Sequence, residues 1–489
     1  MKRLVISSNK SGGGKTTVTC GLIRAFMKRG LRVSSRKCGP DYIDPMFHRR
    51  VLGIETGNLD PYFVNDKILR YLTVKGNEDC DVELIEGAMG YYDGVGGTTV
   101  RASTYEVARI TGSPMVLVVD AGGVSVTLAA AIQGILGFKP DNNIQGIILN
   151  RVSAGFYERL KKLIEDECRV RVLGYLPALK EIEIGSRHLG LMQPGELEDI
   201  DNKLDILAEQ LEKTVDLDGL LKIADTSEQI STECPGELKQ LLGSQEVLGI
   251  RKTAPVIAIA RDEAFSFYYD DNIRLLEELG AVLRYFSPLE DDRLPEGTDG
   301  IILYGGYPEE NAERLSNNAS MLEAIRSAYD SGIPVIAECG GFMYLMDELG
   351  DKEGRSFRMC GVVKGRAFYS GHLVRFGYMK ATAGKGGLYG EAGISFRGHE
   401  FHHWDCTVNG DDFTAHKPLS EKYYRCIVHR ENLAAGFPHI YAYGNPEMYV
   451  NYLLKACEIK ICNYSEPCTY KTAHACMNAG LYVYGEVTT

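Results

Sequence analysis

Leu4-Val5-Ile6-Ser7-Ser8-Asn9-Lys10-Ser11-Gly12-Gly13-Gly14-Lys15-Thr16-Thr17 decides the fold of the first part of this chain. The opening apolar run with its β-branched residues reads as a strand. From Gly14 to Arg29 the apolar residues Val18, Leu22, Ile23 and Phe26 recur at helical spacing. A glycine-rich turn joins the two. Gly12, Gly13 and Gly14 allow backbone N–H groups to wrap a phosphate, and Lys15 reaches the β and γ oxygens. The hydroxyl of Thr16, followed by Thr17, is placed for Mg²⁺. Asn9 stands where the usual phosphate loop has glycine, so this is a variant of a nucleotide-binding turn. ATP with Mg²⁺ is the ligand pair it implies.

Outward from this loop, strands and helices alternate. Strands are expected at Leu31–Ser34, Val82–Ile85, Pro114–Val119, Gly146–Leu149 and Val170–Gly174, with amphipathic stretches such as Val126–Gln133 and Phe156–Glu167 between them. Alternation of this kind predicts βαβ units and a mainly parallel sheet, whose ligands bind at the carboxyl ends of the strands. Two acidic elements fall at such ends. Lys37-Cys38-Gly39-Pro40-Asp41-Tyr42-Ile43-Asp44-Pro45 carries two carboxylates in a loop. Leu84-Ile85-Glu86-Gly87-Ala88-Met89-Gly90-Tyr91-Tyr92-Asp93 puts Glu86 directly after an apolar run. Carboxylates there ligate Mg²⁺ or position a substrate.

The 489 residues predict more than one domain, and the 44% apolar content excludes a disordered chain. A formal charge of −12 argues against nucleic acid or an anionic membrane as the main partner. No apolar run approaches the roughly 18–20 residues of a membrane span, and Leu4-Val5-Ile6 is too short for a signal peptide, so a cytoplasmic protein is expected. Near Asp216–Thr253 the chain turns polar, and a second α/β run starts at Ala254. Its expected strands are Val256–Ala260, Gly300–Leu303 and Pro334–Ala337, its helices Asp271–Leu279 and Asn318–Ser331. After Gly354 the composition suggests an antiparallel or mixed finishing sheet.

Thirteen cysteines are scattered without any Cys-x-x-Cys pair, and one of them has a reason to react. Pro334-Val335-Ile336-Ala337-Glu338-Cys339-Gly340-Gly341-Phe342 is an apolar strand running into Cys339 and then two glycines ahead of a helix-compatible stretch. An elbow of this kind presents a thiol as a nucleophile and leaves N–H groups for an oxyanion. Tyr304-Gly305-Gly306-Tyr307-Pro308-Glu309 is a second glycine-rich strand end able to supply another donor. The base has to be a distant histidine: His439, His399, His402 or His403.

The ordered motifs SGGGKTT, KCGPDYIDPMFH, NLDPYF, EGAMGYYDG, VVDAGGVS, ILNRV, RDEAFSFYY, FSPLEDDRLP, GGYPE, AECGGFMYL, GHEFHHW and FPHIYAYGNP span residues 1 to about 450. With them the chain resembles the cobyrinate a,c-diamide synthase family, the glutamine-dependent amidotransferases of cobalamin biosynthesis. The resemblance implies an N-terminal phosphate-loop domain similar to dethiobiotin synthetase, over residues 1–225. It places a linker at 226–253, an α/β domain similar to class I glutamine amidotransferases at 254–450, and an added tail at 451–489. It implies that Cys339 attacks glutamine with His439 as base, that ammonia passes through a shielded route to the ATP site, and that an acyl phosphate is amidated there. Thr16 and Glu86 match metal-ligand positions; Asp41, Tyr42, Asp44 and Asp93 match substrate-side loops. The partners implied are small molecules: a tetrapyrrole polycarboxylate, glutamine and ATP. Where relatives carry a second histidine two residues after the base, this chain has Tyr441, and no third, orienting acid is identifiable. The same architecture serves nickel-sirohydrochlorin, hydrogenobyrinate and sirohaem. A ParA-like regulatory ATPase, the alternative class, predicts a basic DNA-binding face and no glutaminase elbow. In the tail, Cys457, Cys462, Cys468 and Cys476 with His474 have gaps too irregular for a zinc site, so a packing role is expected.

Overall fold

Seven parallel strands form the sheet of the first unit: β1 (Lys2–Ser8), β2 (Val33–Cys38), β3 (Asn58–Leu59), β4 (Val82–Glu86), β5 (Met115–Asp120), β6 (Ile144–Asn150) and β7 (Val172–Leu176). Their order across the sheet is β3-β2-β4-β1-β5-β6-β7, every neighbouring pair parallel. The computed structural model describes residues 2–77, 79–179 and 194–464. The chain divides into two units, Met1–Pro235 and Gly236–Thr489.

The helix Lys15–Lys28 follows β1 and buries Val18, Leu22, Ile23 and Phe26, the residues whose spacing predicted it. Gly21 lets a second helix, Pro194–Thr214, lie close: a Cβ there would sit 2.5 Å from Leu211 and 2.7 Å from Leu207. β2 departs from expectation. It runs from Val33 to Cys38 rather than ending at Ser34, and all six residues are buried although four are polar. Three of the four polar side chains, Ser35, Arg36 and Lys37, have partners that hydropathy does not register. Arg36 donates to the carbonyls of Thr56 (2.8 Å) and Lys75 (2.7 Å) and pairs with Glu83, while the Ser35 hydroxyl meets His48 at 2.9 Å. Buried polar groups are tolerated when paired, so here the pairing, not the hydropathy, defines the strand.

The central sheet of the second unit contains β8 (Val256–Ala260), β9 (Val282–Phe286), β10 (Gly300–Leu303) and β11 (Val335–Glu338). Its order is Val428–Arg430, Leu433–Gly436, β11, β10, β8, β9, parallel except at the first pair. β9 escapes sequence reading because it is a half-exposed edge strand. Gly280 at φ 106° ends the helix Asp270–Leu279 that leads into it. The later part forms a mixed four-stranded sheet and an antiparallel five-stranded sheet, as its composition suggested. Residues 236–253 carry two helices, Gly236–Leu242 and Gln245–Thr253; the Ser244 hydroxyl caps the second at the N–H of Val247. That helix packs against the final helix, Glu447–Tyr464, in which Cys457 is buried. The rest of the cysteine-containing tail, with Cys468, His474 and Cys476, lies outside the described residues.

Candidate active sites

The first site gathers at the carboxyl ends of β1, β2, β4 and β6. The loop after β1 turns through Gly12 (φ 70°) and Gly14 (φ 100°), a left-handed backbone natural to glycine, and Lys15 opens the helix. A Cβ on Gly14 would lie 2.1 Å from the Asn150 amide, and that amide, at the end of β6, donates to the Gly13 carbonyl at 3.0 Å. The loop is thus clamped from a strand more than a hundred residues away. The Lys15 ammonium donates to the carbonyls of Lys10 (3.2 Å) and Met89. Burial, and then the neighbouring Lys37, pull its pKa down to about 8.

The Thr16 hydroxyl donates to Glu86 Oε1 at 2.6 Å. Lys37, at the end of β2, reaches the same Glu86 oxygen at 2.8 Å and also pairs with Asp44. β2 and β4 run in register with Lys37 opposite Glu86, which is why a lysine buried in a strand meets that carboxylate. Burial opposes the Lys37 charge, but Asp44, Glu86 and Asp41 outweigh it and hold the ammonium protonated. Burial likewise pushes Glu86 up, against the pull of Lys37. Behind Glu86, His48 Nε2 lies 3.6 Å from Oε2 and 3.4 Å from the Cys20 sulfur. Burial drives this imidazole down to about 4 and keeps it neutral.

The residues of the acidic loops hold backbone as well. Asp41 Oδ1 accepts from the N–H groups of Ile43 (2.8 Å) and Asp44 (3.3 Å), and Asp93 Oδ2 accepts from Gly90 N–H at 2.8 Å. Tyr42 is buried beside them. The structure therefore brings Lys15, Thr16, Glu86 and Asp44 into one cluster. Lys37, His48 and Asn150 are the members that sequence reasoning missed. Lys37 left a faint signal, a cation at the end of a strand directly before the acidic loop.

The second site is built on β11. Cys339 follows the strand at φ 48° and ψ −106° and begins the helix Gly340–Tyr344. Gly341 is required because a Cβ there would meet the Leu303 carbonyl at 2.0 Å, and Gly306 because a Cβ would meet that of Ala264 at 2.0 Å. These close approaches bring the glycine-rich ends of β10 and β11 together, and a Cβ on Gly340 would lie 3.0 Å from Gly306 N. Gly305 faces both Cys339 and His439: its Cβ would stand 2.5 Å from His439 Cε1, 3.3 Å from Nε2 and 3.4 Å from Cys339 Cβ.

Among the four candidate histidines, His439 is the one in hydrogen-bonding contact with the Cys339 side chain. His399 is its partner across antiparallel strands. His402 stacks on Phe437 with ring centres 3.8 Å apart and binds the Trp404 carbonyl through Nδ1 at 2.6 Å; His403 contacts the Phe401 ring. A residue the sequence reading did not assign completes the group. Glu338 Oε2 lies 3.6 Å from His439 Nδ1, with both side chains buried. Burial opposes the imidazolium, but Cys339 and Glu338 outweigh it and push His439 up to about 10. Burial pushes the Glu338 carboxyl up in turn, against the pull of His439.

A phosphate loop on a parallel sheet and a strand-end cysteine–histidine pair on a second α/β unit define a glutamine-hydrolysing carbon–nitrogen ligase. Comparison with known proteins agrees. Residues 4–191 match the CobQ/CobB/MinD/ParA nucleotide binding domain, and residues 256–445 the CobB/CobQ-like glutamine amidotransferase domain. The cobyrinate a,c-diamide synthase of Listeria innocua serovar 6a is 40% identical over 455 residues, covering 91% of this chain and 97% of that protein. That of Clostridium tetani is also 40% identical, covering 91% and 98%, and that of Priestia megaterium 34% identical, covering 92% and 96%. The chain belongs to the cobyrinate a,c-diamide synthase family. Among the described residues no helix is long and apolar enough to cross a membrane.

Proposed function

We propose that this enzyme amidates the a and c side-chain carboxylates of cobyrinate, using ATP and ammonia drawn from glutamine. The observation that supports it most is the pairing, in one chain, of Cys339 and His439 around Gly305 with Lys15, Thr16 and Glu86 around a phosphate loop. In the glutaminase step the Cys339 thiol loses its proton to His439 Nε2 and its sulfur bonds to the glutamine carboxamide carbon. The N–H groups of Gly306 and Gly340 are the donors assigned to the resulting oxyanion in this reading. The C–N bond then breaks as His439 returns the proton to the leaving ammonia, and water hydrolyses the glutamyl thioester to glutamate.

At the other site, Lys15 and the loop N–H groups orient the γ-phosphate toward a substrate carboxylate oxygen. That oxygen bonds to phosphorus as ADP leaves, and ammonia displaces phosphate from the acyl phosphate to give the amide. Thr16 and Glu86, a hydroxyl and a carboxylate oxygen 2.6 Å apart, are the oxygen donors that would hold a Mg²⁺ beside the phosphates. When bound, that ion neutralises charge developing on the transferred phosphoryl group. Asp41, Tyr42, Asp44 and Asp93 form the substrate-side loops, and Lys37 fixes Asp44 and Glu86 relative to each other.

The test is mass spectrometry of cobyrinate incubated with the purified protein, ATP, Mg²⁺ and glutamine. Two carboxylate-to-amide conversions are expected. Cys339→Ala is expected to stop glutamine use while ammonium salts still support amidation. Conversion of nickel-sirohydrochlorin but not cobyrinate would overturn the substrate assignment, and full glutamine-dependent activity in Cys339→Ala would overturn the nucleophile.

A further inference from the structure

Consecutive residues of a strand point to opposite faces. Glu338 and Cys339 are consecutive, yet both side chains meet the imidazole of His439. The left-handed backbone at Cys339 makes this possible, because it turns the chain out of the strand immediately after Glu338. The N–H of Ile440, next to His439, also bonds to Glu338.

The two edges of the imidazole are therefore held differently. The Cε1–Nε2 edge faces Gly305 and the Cys339 side chain, and Nδ1 faces Glu338 Oε2 at 3.6 Å. We propose that Glu338 is the positioning residue of the glutaminase pair: it holds Nδ1–H, so that Nε2 is the nitrogen presented to the thiol. Resting on the Cys339–His439 reading above, the proposal supplies the orienting acid that the sequence left unidentified. A buried carboxylate is costly to keep without a partner. Tyr304, Tyr389 and Tyr449, the phenols that surround Glu338, are themselves kept neutral by burial and offer no counter-charge. The contact is long for a hydrogen bond and is expected to tighten when glutamine is bound.

The experiment uses the full-length enzyme. Glu338→Gln keeps size and shape but removes the charge. It is expected to lower kcat for glutamate release by on the order of 10- to 100-fold, the scale of a misdirected catalytic group, with KM for glutamine little changed. Ammonia-dependent amidation, which bypasses Cys339, reports the state of the other site. A double-mutant cycle separates positioning from structure: rates of Cys339 alkylation by iodoacetamide are compared in wild type, Glu338→Gln, His439→Ala and the double variant. If Glu338 acts through His439, its substitution costs nothing further once the imidazole is gone. An undiminished kcat in Glu338→Gln, or an equal additional loss on the His439→Ala background, overturns the proposal. In either case a dead Cys339→Ala enzyme leaves the parent reading standing, whereas an active one removes both.

Discussion

Gly305→Ala isolates geometry from chemistry at the glutaminase site, because it alters no reacting atom. The backbone at Gly305 is not left-handed, so alanine is conformationally acceptable there. The added methyl would stand 2.5 Å from His439 Cε1 and 3.3 Å from Nε2. Carbon atoms in contact prefer about 3.5–4.0 Å, so the imidazole has to recede by about 1 Å. It is the end of a side chain and does move, which limits the stability loss to the about 1–3 kcal/mol typical of overpacking. The catalytic loss is larger. A displacement of about 1 Å between reacting groups costs on the order of 100-fold in rate, and the imidazole that has to shift is fully buried and faces Glu338 at Nδ1. Steady-state release of glutamate is the assay, with ammonia-dependent amidation and the melting temperature as controls. A kcat unchanged to within about twofold, in a protein whose melting temperature confirms the native fold, would refute the placement of His439 against Cys339.

Two further outcomes concern charge. Lys37→Met leaves Asp44 and Glu86 buried without their shared cation, and breaking a buried pair in this way costs about 3–5 kcal/mol, measurable in the denaturant midpoint at neutral pH. His402, stacked on Phe437, is pushed by burial down to about 4 from an ordinary 6.5. Between those values the unfolded chain takes up a proton that the folded protein refuses. Stability therefore falls as pH drops from about 6.5 toward 4, by about 3 kcal/mol from this group, and His402→Phe flattens that limb of the melting temperature against pH. An unchanged acid limb in the variant sinks that assignment.

The two strand-end turns were legible in the sequence because everything that makes them is local. Gly12 to Thr17 and Cys339 to Gly341 sit between an apolar strand and a helix, and the glycines announce left-handed backbone in the first turn and close backbone approach in the second. What surrounds the turns was not legible, because it comes from far along the chain. Thr16 meets Glu86 across 70 residues, and Asn150 reaches Gly13 across 137. β2 runs beyond the expected Leu31–Ser34 for a related reason: Ser35 to Lys37 look solvated until His48, Glu83 and Glu86 are brought against them. Glu338 has no role readable from its motif, since only the turn at Cys339 and the return of the chain at His439 bring it to the imidazole.

That turn has a consequence for how the enzyme is able to change over generations. A non-glycine residue held at φ 48° and ψ −106° carries strain of about 1–3 kcal/mol, maintained by the packing around it. For stability alone, glycine is the better residue at position 339; for chemistry, it is useless. Replacement by glycine, which silences the thiol, is therefore not opposed by backbone strain and is in part rewarded by its relief. On the proposed reading the need for a nucleophile is what keeps sulfur at this position, and a change to glycine would end glutamine use while leaving the fold in place.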